Sequence, residues 1–194
     1  MALSLITPPA FEPLSLGEAK DHLRVTGETQ DAFISELIVA ATAFAESFTG
    51  RALITQTREL VLDGFRGFHE RHCELPMAPL QSVTSVTYTD TAGVSQVWDA
   101  SKYQVDTDSQ PGRLVPAFGE VFPSTRAELN TVRIRFVAGY GNPDDVPGLI
   151  KRGMLFLVGH LFAHREEEVI GTITSEMKFG GRNLLAIYRV PSFS

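Results

Sequence analysis

Apolar side chains recur every three or four residues through the stretch that follows Asp31, at Ile34, Leu37, Ile38, Ala41, Phe44, Ala45 and Phe48. That spacing puts them on one face of a helix over 31–49. Asp31 stands where it can cap the start, and Gly50, tolerant of a left-handed turn, stands where the helix should stop. A shorter helix over 16–25 is signalled by Ser15-Leu16-Gly17-Glu18, the form of a capping box in which Ser15 accepts from the Glu18 amide while Glu18 reaches back. A third helix, 147–166, opens at Asp144-Asp145-Val146-Pro147, with Pro147 in its first turn and the aspartates near its positive end. Its buried stripe is expected to be Leu149, Ile150, Met154, Leu157, Val158, Leu161 and Phe162, packed against the second helix.

Between these helices the pattern changes. From Leu53 the period falls to two and β-branched residues dominate, which predicts strands near 54–63, 82–90, 94–98, 103–105 and 131–138. Asp90-Thr91-Ala92-Gly93 supplies turn chemistry, making 82–98 a hairpin. Val132, Ile134, Phe136 and Ala138 alternate with Arg133 and Arg135, as in a strand with one face covered. The prolines at 111, 116 and 123 read as a long irregular loop over 111–126. Trp98 and Tyr103 fall in the sheet, where large rings usually cover core. The whole is an α+β domain over 1–170: a small bundle of N- and C-terminal helices with an antiparallel β insertion over about 53–140.

After the third helix, residues 171–194 form an extended C-terminal arm of unusual character. Ile173, Met177, Phe179, Leu184, Leu185, Ile187, Tyr188, Val190 and Phe193 make it too apolar for an ordinary disordered tail, and Gly180-Gly181 breaks it. A segment this greasy, with no partner in the preceding pattern, is expected to gain its order by docking on another molecule; the alternative is that it folds back over its own domain. Phe179, Leu184, Leu185, Ile187, Tyr188, Arg189, Val190 and Phe193 are the candidate contact residues. Deleting 180–194 is then expected to leave a folded chain that cannot dock.

Composition narrows the function classes. A formal charge of −6 and a pI near 5.4 lack the clustered Lys and Arg of proteins that coat nucleic acid. The single cysteine, Cys73, cannot close an internal disulfide, so a reducing compartment is the default. The start has no secretory signal, and no apolar run reaches the ~20 residues that span a bilayer, so the expectation is a soluble protein that makes no membrane contact.

Candidate chemistry is sparse. His160 and His164 share one helical face at a spacing used for metal ligands, but Leu161 occupies the position where a zinc hydrolase of that type keeps its glutamate. Glu166-Glu167-Glu168 could add a carboxylate; a solvated face is the plainer reading. His69, His72 and Cys73 crowd one stretch without the second pair a structural zinc site needs. No phosphate-binding or dinucleotide glycine motif and no nucleophile elbow occurs, so neither a cofactor nor a catalytic residue is assigned.

Read in order, several blocks resemble the head-tail connector proteins, also called adaptor or head-completion proteins, of long-tailed bacteriophages and gene transfer agents. They are Leu14 to Val25, Gly50-Arg51-Ala52-Leu53-Ile54-Thr55-Gln56-Thr57, Leu75-Pro76 with Pro79-Leu80-Gln81-Ser82-Val83, Tyr103-Gln104-Val105-Asp106, Phe136-Val137-Ala138-Gly139-Tyr140-Gly141, and Val146-Pro147 leading to Leu157-Val158-Gly159-His160-Leu161-Phe162 and His164-Arg165-Glu166. The resemblance implies a structural virion protein at the head-tail junction, assembled in the bacterial cytoplasm. It implies a homo-oligomeric ring, usually of twelve, that binds the portal protein on one side and a tail terminator or stopper protein on the other, with DNA passing through without sequence-specific contact. The C-terminal arm would be the portal contact. The alternatives are a metal-dependent hydrolase on His160 and His164, or a cellular adaptor domain.

Overall fold

The computed structural model describes residues 1–65, 72–164 and 180–190. These residues form two compact units, one mainly helical, from Ala10–Ile54 and Tyr140–Val190, and one of β-structure, from Met1–Pro9 and Thr55–Gly139.

In the helical unit, α1 spans Leu16–Leu23, α2 Asp31–Thr49, α3 Gly148–Ala163 and α4 Gly181–Ala186. The capping box at α1 is complete, with the Ser15 hydroxyl accepting from the Glu18 amide and the Glu18 carboxylate accepting the Ser15 amide at 2.8 Å. α1 stops two residues short of the expected end because Arg24 takes the left-handed conformation, φ 56°, and closes the helix. α2 runs as expected to Gly50, φ 69°. Its cap is a correction: Gln30 holds the cap position without a side-chain capping bond, and Asp31 instead receives the Lys20 ammonium at 2.6 Å, tying α2 to α1. α2 is long and apolar enough to cross a membrane, and Ile34, Ile38, Ala41 and Ala45 on it are buried in the core of this unit.

A 3₁₀ turn at Pro143–Asp145 precedes α3, where the Asp145 carboxylate accepts the Asn142 amide at 2.8 Å. The buried row on α3 is Ile150, Gly153, Met154, Leu157 and Val158, narrower than the pattern predicts. Leu149 stands about 100° around the helix from Ile150 and is exposed, as is Leu161. α3 ends at Ala163, three residues before the expected end, with His164 at its cap out of the helical conformation, φ −113° and ψ 71°. Leu14, Leu53, Ile54, Val146 and Leu185 complete the core.

In the β unit, β1 (Ala2–Thr7), β2 (Gln56–Leu62), β8 (Val132–Ala138), β4 (Leu80–Thr89) and β5 (Ser95–Val97) form a five-stranded sheet in the order β1-β2-β8-β4-β5, every neighbouring pair antiparallel. β3 (Cys73–Leu75), β7 (Gly112–Pro116) and β6 (Tyr103–Asp106) form a second sheet in the order β3-β7-β6. The two touch at Gly112, where a Cβ would come within 2.6 Å of the Leu80 side chain. The hairpin turn is as expected, with Asp90 Oδ1 accepting from the amides of Ala92 and Val94.

β1 and β7 depart from the sequence reading. β1 lies in a stretch where no strand is predicted. Gly112–Pro116, read as loop, is the central strand of the second sheet. The prolines that prompted the loop reading flank this strand or close it, where no ladder N–H is missed, and Leu114 between them is fully buried. The half-covered character of β8 holds: Val132, Ile134, Phe136 and Ala138 are buried, while Arg133 and Arg135 on the other face share Glu59 at 3.1 and 3.0 Å.

Candidate functional site

The stretch that carries most of the candidate contact residues is folded on its own unit between 180 and 190. α4 packs on α3 through a crossing of two glycines. A Cβ at Gly181 would sit 2.6 Å from the Gly153 carbonyl oxygen, and one at Gly153 would sit 3.0 Å from both the Gly181 oxygen and the Leu185 side chain. Only with both side chains absent can the backbones close to this distance. The consequence is that Leu185 reaches the core and is fully buried. Tyr188 packs against the same cluster.

The chain beyond α4 is held to the end of α2. The Arg51 guanidinium donates from Nε to the Tyr188 carbonyl oxygen, and its carbon lies 5.8 Å from the centre of the Tyr140 ring and 5.9 Å from that of Tyr188. Burial pushes the Tyr140 hydroxyl above its usual pKa, with the Arg51 charge pulling the other way. The Val190 amide donates to the Thr49 carbonyl at 2.8 Å, so the last turn of α2 and the segment that follows α4 are joined through their main chains. Arg51 is 7% exposed. A buried guanidinium needs partners for its donors and stacking for its faces, and it has both.

For this stretch the expectation of an arm without a place in its own chain is therefore corrected, and the reason is the glycine crossing. The remaining contact candidates divide. Ile187 is 68% exposed and Arg189 is exposed, while Leu184 and Val190 are half-buried. Arg182 and Arg189 lie over the Phe48 ring at 5.1 and 5.7 Å, and Phe48 stacks on Phe44. Ile187 is an apolar side chain left open to solvent. Phe179 and Phe193 lie outside the described residues. Sequence reasoning passed over Arg51 and Gly153. An arginine directly after a helix-ending glycine is a signal that could have marked Arg51; nothing local marks Gly153, because its partner glycine lies 28 positions away.

The metal candidates have little to work with. His164 Nδ1 is 2.9 Å from the His160 carbonyl oxygen and the two rings lie 4.4 Å apart. His72 faces Glu74 at 3.8 Å. Cys73 is buried, and burial, aided by the Glu74 charge, pushes its thiol up to about 12, far from the thiolate a metal requires. Among the described residues no three His, Cys, Asp or Glu side chains come together as a metal site; His69 and Glu166 to Glu168 lie outside them. Asp106 takes hydrogen bonds from Ser109 and Arg113, which hold its carboxyl far below the usual range and pin the β6-β7 connection. That is turn chemistry.

Residues 13–108 match the family model described as phage gp6-like head-tail connector protein. Among solved structures, a chain of the neck of an empty gene transfer agent particle, computed with C6 symmetry, superposes with a TM-score of 0.82 at 26% identity, covering 100% of this chain and 98% of that one. Chains of the native gene transfer agent virion and of the native neck computed with C12 symmetry each superpose at 0.79, with the same identity and coverage. No curated protein matches the chain.

Proposed function

We propose that the chain, which matches the phage gp6-like head-tail connector family over residues 13–108, works as a structural subunit of the virion neck, one copy in a homo-oligomeric ring that joins head to tail. The observation that carries this reading is the end-to-end likeness to a neck chain, 0.82 in TM-score over 100% of the residues. A likeness of that extent includes both units and α4, so it is the whole subunit that is shared. The role is structural; no reaction is assigned.

The finer reading is as follows. The ring sits between the portal protein and a tail-side terminator or stopper protein, and DNA passes through it. The symmetries of the related necks, sixfold and twelvefold, favour twelve copies. Assembly takes place in the bacterial cytoplasm. A formal charge of −6 suits a channel through which a polyanion must slide; a lumen lined mainly by Lys and Arg would overturn that part. The portal is contacted through the exposed residues after α4, Ile187 and Arg189 foremost, together with the chain on either side of 180–190.

Electron microscopy of purified particles tests the reading. The expected result is density for this chain as a ring between head and tail. Particles that assemble and carry tails while containing none of it would overturn the proposal.

A further inference from the structure

The five-stranded sheet ends in two open edges, β1 on one side and β5 on the other, and we infer that in the ring the β1 edge of each copy pairs with the β5 edge of the next. The inference rests on the ring reading and names the surface that builds it.

Edges are where sheets meet strangers, and folded proteins usually blunt them with lysine, proline or an inward charge. Neither edge here carries any of these; what blunting there is comes from the three-residue length of β5 and the irregularity near the end of β1. β1 reads Ala2-Leu3-Ser4-Leu5-Ile6-Thr7, six residues without a charge, and its only irregularity falls at its end, between Leu5 and Thr7. Leu5 and Ile6 are 47% and 41% exposed. β5 reads Ser95-Gln96-Val97, again uncharged and wholly exposed, with Val97 at 72%. Among the described residues each is hydrogen-bonded in the ladder on one side only, so each offers a row of main-chain donors and acceptors to a neighbour.

The pairing within the sheet fixes the faces. Leu3 and Leu5 pair with Leu60 and Arg58, which in turn pair with the buried Ile134 and Phe136. They therefore belong to the covered face of the sheet, and at the open end that face stops short. On the far side it ends at the buried Trp98, which donates its amide to Val86. Laying β1 of one copy against β5 of another sets Leu3 and Leu5 on the same face as Gln96 and Trp98, while Val97, which pairs with Thr87 and through it with Arg133, joins Ser4 on the open face.

Two different edges on one subunit are what a closed ring needs, since rotation brings unlike patches together. The direction of the junction follows. Four successive antiparallel pairings leave β1 and β5 running the same way, so the junction between copies is parallel. A pair of β1 edges meeting across a twofold axis would be antiparallel and would stop at two copies.

The test uses assembled particles. Cells producing them are supplied with the chain carrying Ser4→Cys and Ser95→Cys, two positions on the same open face of the sheet, or either change alone, and purified particles are treated with a short bismaleimide and run on a denaturing gel. Cys73 is fully buried and stays silent. A ladder of multimers from the double variant and none from either single variant is the expected result. Dimers from Ser4→Cys alone, or no ladder from particles that contain the double variant, overturn the edge pairing while leaving the connector reading intact. Should the double variant fail to enter particles, Leu5→Lys and Val97→Lys decide: each is expected to fold with native melting behaviour and to be lost from necks at least tenfold. Incorporation of either at the native level overturns the pairing. Absence of the unaltered chain from particles overturns the connector reading, and this inference with it.

Discussion

Leu185 and Ile187 lie two positions apart and face opposite fates, one fully buried and one 68% exposed. Truncating Leu185 to alanine leaves a cavity beside Gly153 and should cost about 2–5 kcal/mol of stability in the helical unit, read as a lowered midpoint in chemical denaturation. Ile187→Asp should leave that midpoint within about 0.5 kcal/mol and reduce capture of the chain by immobilised portal at least tenfold. Native capture by Ile187→Asp would remove Ile187 from the portal contact. The glycines at the crossing set a second contrast. Alanine normally gains about 1 kcal/mol over glycine inside a helix. At Gly153 the new Cβ meets atoms at 3.0 Å, one of them the flexible Leu185 side chain, whereas at Gly181 it meets a backbone oxygen at 2.6 Å. Gly181→Ala should therefore destabilise more than Gly153→Ala, and thermal melts of the two variants should show that order. None of this was visible in residues 171–194 taken alone. Their apolar content was legible, but where it is buried depends on a glycine in another helix, and a pairing across 28 positions leaves no periodic mark.

At the level of elements, the legible parts are those whose cause is local. The capping box of α1 lies within four residues, and the alternation of β8 between a covered and an open face needs only its own side chains to be read. β7 and β1 escaped because their strand character comes from neighbours: Leu114 is apolar in a proline-bounded run, and β1 becomes a strand by pairing with β2 more than fifty positions on. The α1 cap also carries a pH dependence. Burial opposes ionisation of Glu18, but the Ser15 amide and the Lys151 ammonium outweigh it and hold its pKa below the ordinary value. A carboxyl whose folded pKa is depressed stabilises the fold above its unfolded pKa, about 4.3, and loses that contribution as pH falls through the lower folded pKa. Helix content should hold down to about pH 5 and the melting temperature should drop below about pH 4. Glu18→Gln should flatten that part of the profile. Ser15→Ala should cost about 1 kcal/mol at neutral pH. A melting temperature independent of pH between 3 and 5 in the unaltered chain would sink the linkage.

For the whole molecule, the question is whether the C-terminal residues serve the subunit or only its partner. If they were purely an arm, removing 180–194 would leave the chain as stable as before and would abolish docking alone. The structure leads to a different outcome. The deletion takes away Leu185 from the core, the carbonyl that Arg51 binds and the amide that Thr49 holds, and it uncovers Gly153. A guanidinium built to be 7% exposed would lose a hydrogen bond and a stacking face together, and the cost of leaving such a group unsatisfied adds to the lost burial. The truncated chain should therefore unfold earlier by several kcal/mol in its helical unit. Trp98, the one tryptophan in the chain, is buried in the β unit among Phe65, Tyr103 and Phe122, so its emission reports on that unit, while ellipticity at 222 nm, about the wavelength where helices dominate, reports mainly on the other. After truncation the helical signal should move to lower denaturant, by more than the indole signal does. Equal midpoints before and after truncation in both signals would mean that α4 adds nothing to its own subunit. It also follows that a truncated chain missing from particles says little about portal binding, because instability alone would exclude it. The exposed substitution at Ile187, made in a chain whose core is complete, is the variant that separates docking from folding.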